Sequence, residues 1–290
     1  MQYRHGFHAG NFADVHKHIA LLQLIGALQR KAKGFLCLET HAGEGLYDLA
    51  AADARQGAES DAGILRLQRQ LAQSSAAIHP AIKHYMDAVR RIREHCGEAL
   101  RLYPGSPLLA AAQLREADQE VCVEAQPQAA RALQRAFDRT AALLATAPRV
   151  VTGDGYQQLR SLLPPPSRRG LVLVDPPYES ADEEQQVAAA LAAGLARFET
   201  GVFAVWYPIK KQHDSDLWLA RVTRGIERPT LAAELCTAAP DHAAGLNGSG
   251  LLVVNPPWQF DSEAARWQAG LHELLGGTGG STVRWLVHEQ

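Results

Sequence analysis

Residues 171–178 carry a pattern of side chains that suggests chemistry. The apolar run Leu171–Val174 is followed by Asp175, two prolines and Tyr178. A continuous apolar run is typical of a strand buried on both faces of a parallel sheet. The prolines end the strand because they donate no ladder hydrogen bond, and they stiffen the turn. A carboxylate, the Pro176 carbonyl and an aromatic ring therefore lie where open α/β sheets bind their ligands.

These three groups suit an exocyclic amine of a nucleobase. The two N–H groups of such an amine match the Asp175 carboxylate and the Pro176 carbonyl. The Tyr178 ring replaces the stacking that a base loses when it leaves its helix. The pattern predicts methylation of a nucleobase nitrogen, with Asp175, Pro176 and Tyr178 as catalytic residues.

A second turn of similar composition, residues 255–258 (NPPW), also follows an apolar strand. Asn-Pro-Pro-aromatic turns serve some amine methyltransferases. Too few residues follow Trp258 to build the rest of such a sheet, whereas the stretch after Tyr178 is long enough. We therefore assign the chemistry to Asp175 and a structural turn to Asn255.

Further groups at the ends of predicted strands indicate a nucleotide pocket. Residues 40–45 (THAGEG) follow a strand at 35–39, and glycines there let the backbone approach a ligand. Glu124 ends the next strand of the sheet, where Rossmann-like sheets carry a ribose-binding acid. Asp154, between two glycines, suits the amine of an adenine. One such acid is usually a helix cap, but several in order, together with Asp175, favour ligand binding.

Alternating strands and helices predict a doubly wound, mostly parallel α/β sheet. The predicted elements are a helix at 14–31 with Asp14 as N-cap, strands at 35–39, 121–124, 149–152, 171–174 and 202–206, and helices at 127–144 and 183–197. The runs 251–254 and 282–287 are predicted to be neighbouring antiparallel strands. Ser106 before Pro107 has the pattern of a helix N-cap, and a helix N-terminus also offers N–H groups to a ligand.

Residues 46–103 contain no strong strand signal and are rich in Ala, Gln and Arg, so we predict a helical insertion. The chain then divides into residues 1–45, the insertion 46–103 and the remainder 104–290. The stretch 66–101 carries seven Lys/Arg and three Asp/Glu. We expect it to attract nucleic acid, and charge reversal at Arg90, Arg91 and Arg93 to weaken this binding.

Composition sets limits on the class of protein. At 290 residues the chain suits one large domain with an insertion, and its net charge of −2 argues against nucleic-acid binding by the whole surface. The four cysteines form no C-x-x-C pair, so zinc ribbons and disulfide scaffolds are not expected. His5, His8, His16 and His18 lack such cysteine partners, and we predict no metal site. The sequence shows neither a signal peptide nor a membrane span, so we expect a cytoplasmic protein.

Several motifs carry a resemblance to a known family, and they occur in order along the chain. They are 3–11 (YRHGFHAGN), 13–15 (ADV), 17–18 (KH), 40–43 (THAG), 103–108 (YPGSPL), 154–155 (DG), 167–171 (SRRGL), 175–178 (DPPY), 206–208 (WYP) and 255–258 (NPPW). Through them the chain resembles the RlmJ family of bacterial 23S ribosomal RNA adenine-N6 methyltransferases.

The resemblance implies a class I methyltransferase with a Rossmann-like doubly wound sheet and an inserted helical subdomain, using S-adenosylmethionine. The implied substrate is a single adenine in domain V of 23S rRNA, accepted in naked or nascent RNA. Matched by motif position, the implied methyl-donor contacts are His18, His41, Ser106, Glu124, Asp154, Gly155 and Asp175, and the implied RNA contact is Tyr3. We expect a monomer that needs neither a protein partner nor a membrane.

Two alternatives stay open at this point. Methylation of a DNA adenine or of guanine N2 in RNA is compatible with D-P-P-Y. A non-catalytic nucleic-acid-binding or DNA-utilisation protein would have the basic stretch 66–101 as its main feature.

Overall fold

A computed structural model describes residues 8–51, 59–75, 77–97, 101–239, 242 and 245–288. The strands are β1 Leu36–Glu39, β2 Leu46–Asp48, β3 Leu102–Pro104, β4 Gln119–Glu124, β5 Arg149–Thr152, β6 Gly170–Val174, β7 Val202–Ile209, β8 Thr230–Cys236, β9 Gly248–Val254 and β10 Gly280–Val287. The helices are α1 Phe12–Gln29, α2 Glu59–Ala62, α3 Ile64–Gln73, α4 Pro80–His95, α5 Ser106–Ala111, α6 Pro127–Thr140, α7 Gly155–Leu162, α8 Glu183–Arg197, α9 Gln212–Val222 and α10 Phe260–Leu275.

The central sheet has the strand order β10-β8-β9-β7-β6-β1-β4-β5. Strands β5, β4, β1, β6 and β7 pair in parallel, and β9 lies antiparallel between β7 and β8. Each of the residues of β6 is buried, as the apolar run at 171–174 predicts for a strand covered on both faces. The predicted doubly wound, mostly parallel sheet is confirmed.

The predicted pairing of the two late strands is wrong. β8 lies between β9 and β10 and pairs antiparallel with both of them. The sequence of β8, TLAAELC, alternates weakly and contains two alanines and a glutamate. This pattern is too weak to identify β8 as a strand from the sequence, so sequence reasoning pairs the two stronger apolar runs directly with each other.

The start of α1 also differs from the prediction. Asn11 is the N-cap, and its side-chain oxygen accepts a hydrogen bond of 2.8 Å from the backbone N–H of Asp14. Asp14 lies in the first turn and accepts instead from the backbone N–H of Gly10. Most of α1 is buried, including its polar residues 16–18. A helix buried all round shows no amphipathic period that would mark its inward face.

The stretch predicted to be helical, 46–103, contains α2, α3 and α4. Its two ends form the strands β2 and β3, an antiparallel pair that sequence reasoning missed. Ile64, Leu67, Ile82 and Tyr85 of this stretch are fully buried in the core that also contains α1 and α10. The described helices of the stretch thus share one core with the sheet. The division into residues 1–45, 46–103 and 104–290 stays a prediction.

Candidate active site

The carboxyl ends of β1, β4 and β6 surround a cavity of about 330 Å³, a volume within the range of small-molecule sites. This edge is the switch point of the sheet, because the strands that follow β1 along the chain lie on both sides of it. The lining includes five of the residues predicted to contact the methyl donor, and one that was not predicted. They are His18, His41, Ser106, Glu124 and Asp175, and the sixth is Lys17.

Asp175 is held by an ion pair with the buried Lys17, which sequence reasoning missed. Lys17 Nζ lies 2.5 Å from Asp175 Oδ2 and 2.9 Å from Asp14 Oδ1. In the described part of the chain, no group donates to Asp175 Oδ1. Burial by itself lowers the pKa of Lys17, but the two carboxylates outweigh it and the net pKa is raised, so the lysine is an ammonium. One available signal was a lysine three residues after an aspartate in a strongly apolar helix.

Glu39 is a second group that sequence reasoning missed. It ends β1, is 1% exposed, and accepts a hydrogen bond of 2.6 Å from Ser106 Oγ on Oε2. Its Oε1 has no hydrogen-bond partner among the described residues. Burial raises the pKa of Glu39 to about 8, the hydrogen bond from Ser106 opposes this, and the charge of Asp175 adds to it. An acid at the end of the first strand was the signal in the sequence.

Ser106 itself differs from its predicted role in the helix. It is the first residue of α5, and Gly105 is the N-cap. The serine hydroxyl donates to Glu39 and caps no backbone group. Ser106 also lines the cavity, and its contact with the methyl donor stays a prediction.

The glycine loop after β1 is shaped by contacts that a side chain would prevent. Gly43 has φ +67°, and a Cβ there would lie 2.4 Å from the Tyr47 hydroxyl. Its N–H donates to Glu124 Oε2 at 2.8 Å, and the Gln126 N–H donates to Oε1 at 2.8 Å. Each carboxylate oxygen keeps a further lone pair. Glu124 can therefore accept the hydroxyls of a ribose while it holds the loop.

Two histidines of the cavity wall are held by their own neighbours. His41 Nδ1 lies 2.8 Å from Thr40 Oγ1, and its ring packs edge-on against Tyr156 at 4.9 Å. Burial lowers the pKa of His41 to about 4, so the ring is neutral at pH 7. His18 Nδ1 lies 2.9 Å from the Tyr103 hydroxyl.

Asp154 and Gly155 are not among the residues that line the cavity. The Asp154 carboxylate caps α7 by accepting from the backbone N–H groups of Tyr156 and Gln157. A Cβ on Gly155 would lie 2.0 Å from the carbonyl oxygen of Thr40, so this glycine lets α7 begin against the end of β1. The cofactor contacts of both residues stay predictions.

The turn after β6 presents its residues unequally to the cavity. Asp175, Pro177 and Glu179 line it, whereas Pro176 and Tyr178, both predicted to be catalytic, are not among the lining residues. The Tyr178 hydroxyl donates to the carbonyl of Trp206 at 2.6 Å, and its ring packs edge-on against that indole. The catalytic roles of Pro176 and Tyr178 stay predictions. Tyr3 lies outside the described residues, and its RNA contact stays a prediction too.

The second Pro-Pro turn has the structural role that its position predicted. Asn255 has φ 53°, and its side-chain amide donates to the carbonyls of Glu199 and Gly201, each at 2.8 Å. Because β9 runs antiparallel to β7, this turn lies at the opposite edge of the sheet from Asp175.

The predicted basic surface needs one correction. Arg93 is 1% exposed, and its Nε donates to the carbonyl of Leu102, so it holds the helical segment together. Arg90 is exposed and pairs with Asp87 at 3.0 Å. The set predicted for charge reversal is therefore reduced to Arg90 and Arg91, and the RNA-binding role of the basic stretch stays a prediction.

Neither a metal cluster nor a membrane span is found in the part of the chain that the structure describes. No three of its His, Cys, Asp and Glu side chains converge as metal ligands. His16 Nδ1 lies 2.9 Å from Ser249 Oγ, and His8 pairs with Glu59. No described helix combines the length and apolar character needed to cross a bilayer.

The strand order, the antiparallel β9, the glycine loop and the acids at the strand ends define a class I methyltransferase. S-adenosylmethionine is the methyl donor of this class. The residues present fit it, because the cavity joins an acid suited to a ribose at Glu124 with the carboxylate of Asp175.

Comparison with known proteins narrows the class to a family. Residues 32–287 match the model of the family RsmJ, described as "Ribosomal RNA large subunit methyltransferase D, RlmJ". Two curated proteins, both named "Ribosomal RNA large subunit methyltransferase J", are 38% identical in Escherichia coli (strain K12) and 36% identical in Haemophilus influenzae, over all of both chains. The chain belongs to this family.

A solved structure shares the fold over almost the whole chain. Protein LPL1258 from Legionella pneumophila, of family DUF519, superposes with a TM-score of 0.82 at 30% identity. The match covers 98% of this chain and 99% of that one.

Proposed function

We propose that this protein transfers a methyl group from S-adenosylmethionine to N6 of one adenine in domain V of 23S ribosomal RNA. We further propose that it acts on naked or nascent RNA. The relatives named as ribosomal RNA large subunit methyltransferases support the RNA substrate. The observation that carries the choice of an amine is Asp175, which lines the cavity with Oδ2 on Lys17 and receives no hydrogen bond on Oδ1 from the described residues.

The first task of the site is to bind and orient the amine. The lone pair of adenine N6 is delocalised into the ring, so the nitrogen is a poor nucleophile. Hydrogen bonds from its N–H groups to Asp175 Oδ1 and the Pro176 carbonyl favour a more tetrahedral nitrogen and direct its lone pair towards the methyl group. Orientation of this kind contributes a large share of the rate in enzymes.

The second task is to stabilise charge and remove a proton. S-adenosylmethionine, when bound, supplies a methyl group activated by a sulfonium. Positive charge develops on N6 as the new bond forms, and the Asp175 carboxylate lies beside it. Lys17 keeps the carboxylate in place through Oδ2. Asp175, or a water beyond it, then accepts the N6 proton.

The test is the variant Asp175→Asn, which keeps the shape of the side chain and removes its charge. It should stay folded by circular dichroism, and lose about 10²–10⁴-fold in methyl transfer at saturating donor, the usual range for a lost acid–base group. Asp182→Asn is the matched control, because the same change falls on an exposed residue outside the cavity. Normal turnover by Asp175→Asn would contradict the mechanism.

The substrate is tested with labelled donor and unmodified 23S rRNA fragments, the same fragments as DNA, and assembled large subunits. Digestion to nucleosides should give N6-methyladenosine from the RNA fragments, and mapping should place it in domain V. A labelled guanine would overturn the choice of adenine as the methylated base. Equal methyl transfer to the DNA fragments would overturn the choice of RNA as the substrate. Methyl transfer to assembled subunits and not to the free fragments would overturn the proposal that the protein acts on naked or nascent RNA. Failure to bind S-adenosylmethionine would favour the non-catalytic alternative.

A further inference from the structure

A series of buried polar contacts leads from the cavity into the helical segment that precedes β3. The Tyr103 hydroxyl lies 2.9 Å from His18 Nδ1, and the Tyr85 hydroxyl lies 3.0 Å from the Tyr103 hydroxyl. Tyr85 and Tyr103 are 0% exposed, and His18 is 1% exposed. Tyr85 belongs to α4 and Tyr103 to β3, so both phenols come from the stretch predicted as an insertion.

The other end of this series reaches the reacting carboxylate. His18 Nε2 lies 3.9 Å from Asp14 Oδ1, within ion-pair range when the ring is protonated. The same Asp14 oxygen lies 2.9 Å from Lys17 Nζ, which in turn lies 2.5 Å from Asp175 Oδ2. Three residues of α1 thus connect the Tyr103 phenol with Asp175.

Tyr103 restrains His18 in two ways at once. Besides the hydrogen bond, the two rings stack with centroids 5.8 Å apart and planes 22° apart. His18 also lines the cavity, so its ring orientation is part of the wall against which the methyl donor binds. A hydrogen bond in a buried, low-dielectric setting fixes orientation more strongly than the same bond in water.

We propose that Tyr103 and Tyr85 are positioning residues for methyl transfer. Tyr103 holds the His18 ring, and through α1 the Lys17–Asp175 pair, while Tyr85 holds the Tyr103 hydroxyl. The helical segment thereby helps to orient residues of the active site, in addition to its predicted contact with RNA. This inference rests on the proposed function, because it takes Asp175 as the group that binds the amine.

The test uses Tyr103→Phe, Tyr85→Phe and the double variant, which remove hydroxyls and keep the rings. For methyl transfer to an unmodified 23S rRNA fragment, we expect Tyr103→Phe to lower kcat about tenfold, since small misplacements of catalytic groups have large effects on rate. The KM for RNA should change less than about twofold, because a positioning residue does not touch the RNA. Tyr85→Phe should lower kcat about threefold. The double variant should match Tyr103→Phe, because Tyr85 acts through Tyr103.

Tyr207→Phe is the matched control. Tyr207 is also buried, and its hydroxyl donates to Glu234 Oε1 at 2.7 Å, away from the cavity. This variant should keep kcat. A loss of kcat in Tyr207→Phe equal to that in Tyr103→Phe would mean that any buried hydroxyl matters through stability alone.

A second measurement does not depend on turnover. The imidazole ¹⁵N–¹H signals of His18 should shift in Tyr103→Phe and stay in place in Tyr207→Phe. Unchanged kcat and unchanged His18 signals in folded Tyr103→Phe would overturn the inference, and so would multiplied effects in the double variant. Asp175→Asn, assayed in parallel, separates the two proposals. If it is inactive while Tyr103→Phe is normal, only the positioning role fails, and if it is active, the proposed mechanism fails.

Discussion

Replacing Glu39 with glutamine should change how the stability of this protein depends on pH. Burial raises the pKa of Glu39 from its ordinary value of 4.5 to about 8. Between these values the native state keeps a proton that the unfolded chain releases. The free energy of unfolding therefore falls as pH rises, by about 1.4 kcal/mol per pH unit. Over the whole window this one group costs about 5 kcal/mol, and the loss is complete above about pH 8.

Glutamine cannot ionise, and its carbonyl oxygen can still accept the hydrogen bond that Ser106 Oγ donates to Glu39. The variant Glu39→Gln therefore lacks this decline. Urea unfolding of both proteins at about pH 5.5 and pH 7.5 measures the effect. The stability of the variant relative to wild type should increase by about 3 kcal/mol between the two conditions.

Other groups titrate in the same window, so the difference between the two proteins is the quantity that matters. His41, for example, has its pKa lowered to about 4 by burial, and its contribution to stability rises with pH in both proteins. Glu44→Gln is the matched control, because Glu44 is an exposed acid in the loop after β1. If the curves of Glu39→Gln and wild type run parallel across this range, the reasoning about Glu39 is refuted.

Three further predictions follow from other contacts. Lys17→Met leaves the buried carboxylate of Asp14 and the partly buried carboxylate of Asp175 without their cation, so it should cost about 3–5 kcal/mol in urea unfolding and abolish methyl transfer. Wild-type stability would contradict this. Reversing the charge of exposed Arg90 and Arg91 should weaken binding of 23S rRNA fragments and flatten its salt dependence by about 0.7–0.9 per lost phosphate contact; an unchanged slope would identify a merely solvated helix face. Gly155→Ala places a Cβ 2.0 Å from the carbonyl oxygen of Thr40 and should cost about 1–3 kcal/mol; a melting temperature equal to that of wild type would show that this close approach relaxes freely.

The parts of the fold that the sequence predicts are those with a strong local signal. The apolar run 171–174 is a buried central strand, and the helix predicted at 183–197 spans these same residues as α8. Asp175, the acid that follows β6, lies in the cavity wall because parallel strands end at one edge of the sheet. These inferences need only the pattern of apolar residues along the sequence and the geometry of a parallel sheet.

The parts that sequence reasoning missed depend on partners far away in the chain. Ser106 has the local pattern of an N-cap, yet its hydroxyl donates to Glu39, which lies sixty-seven residues earlier. Lys17 lies in a buried helix with no polar face to mark it, and its partner Asp175 comes 158 residues later. Tertiary contact overrides the local preference in both cases, and periodicity cannot reveal such pairs.

The charge balance around Asp175 suggests why a lysine is buried there. The ammonium of Lys17 lies 2.9 Å from the Asp14 carboxylate and 2.5 Å from the Asp175 carboxylate, and the three groups together carry a formal charge of −1. A buried net charge is costly unless a counter-charge approaches it. In the ground state the adenine amine is neutral and the positive charge of the reacting pair lies on the sulfonium of the donor. As the S–CH3 bond breaks and the N6–CH3 bond forms, this charge moves to N6. Under the proposed reaction the cluster is thus more complementary to the transition state than to the bound substrate, which is the condition for raising kcat.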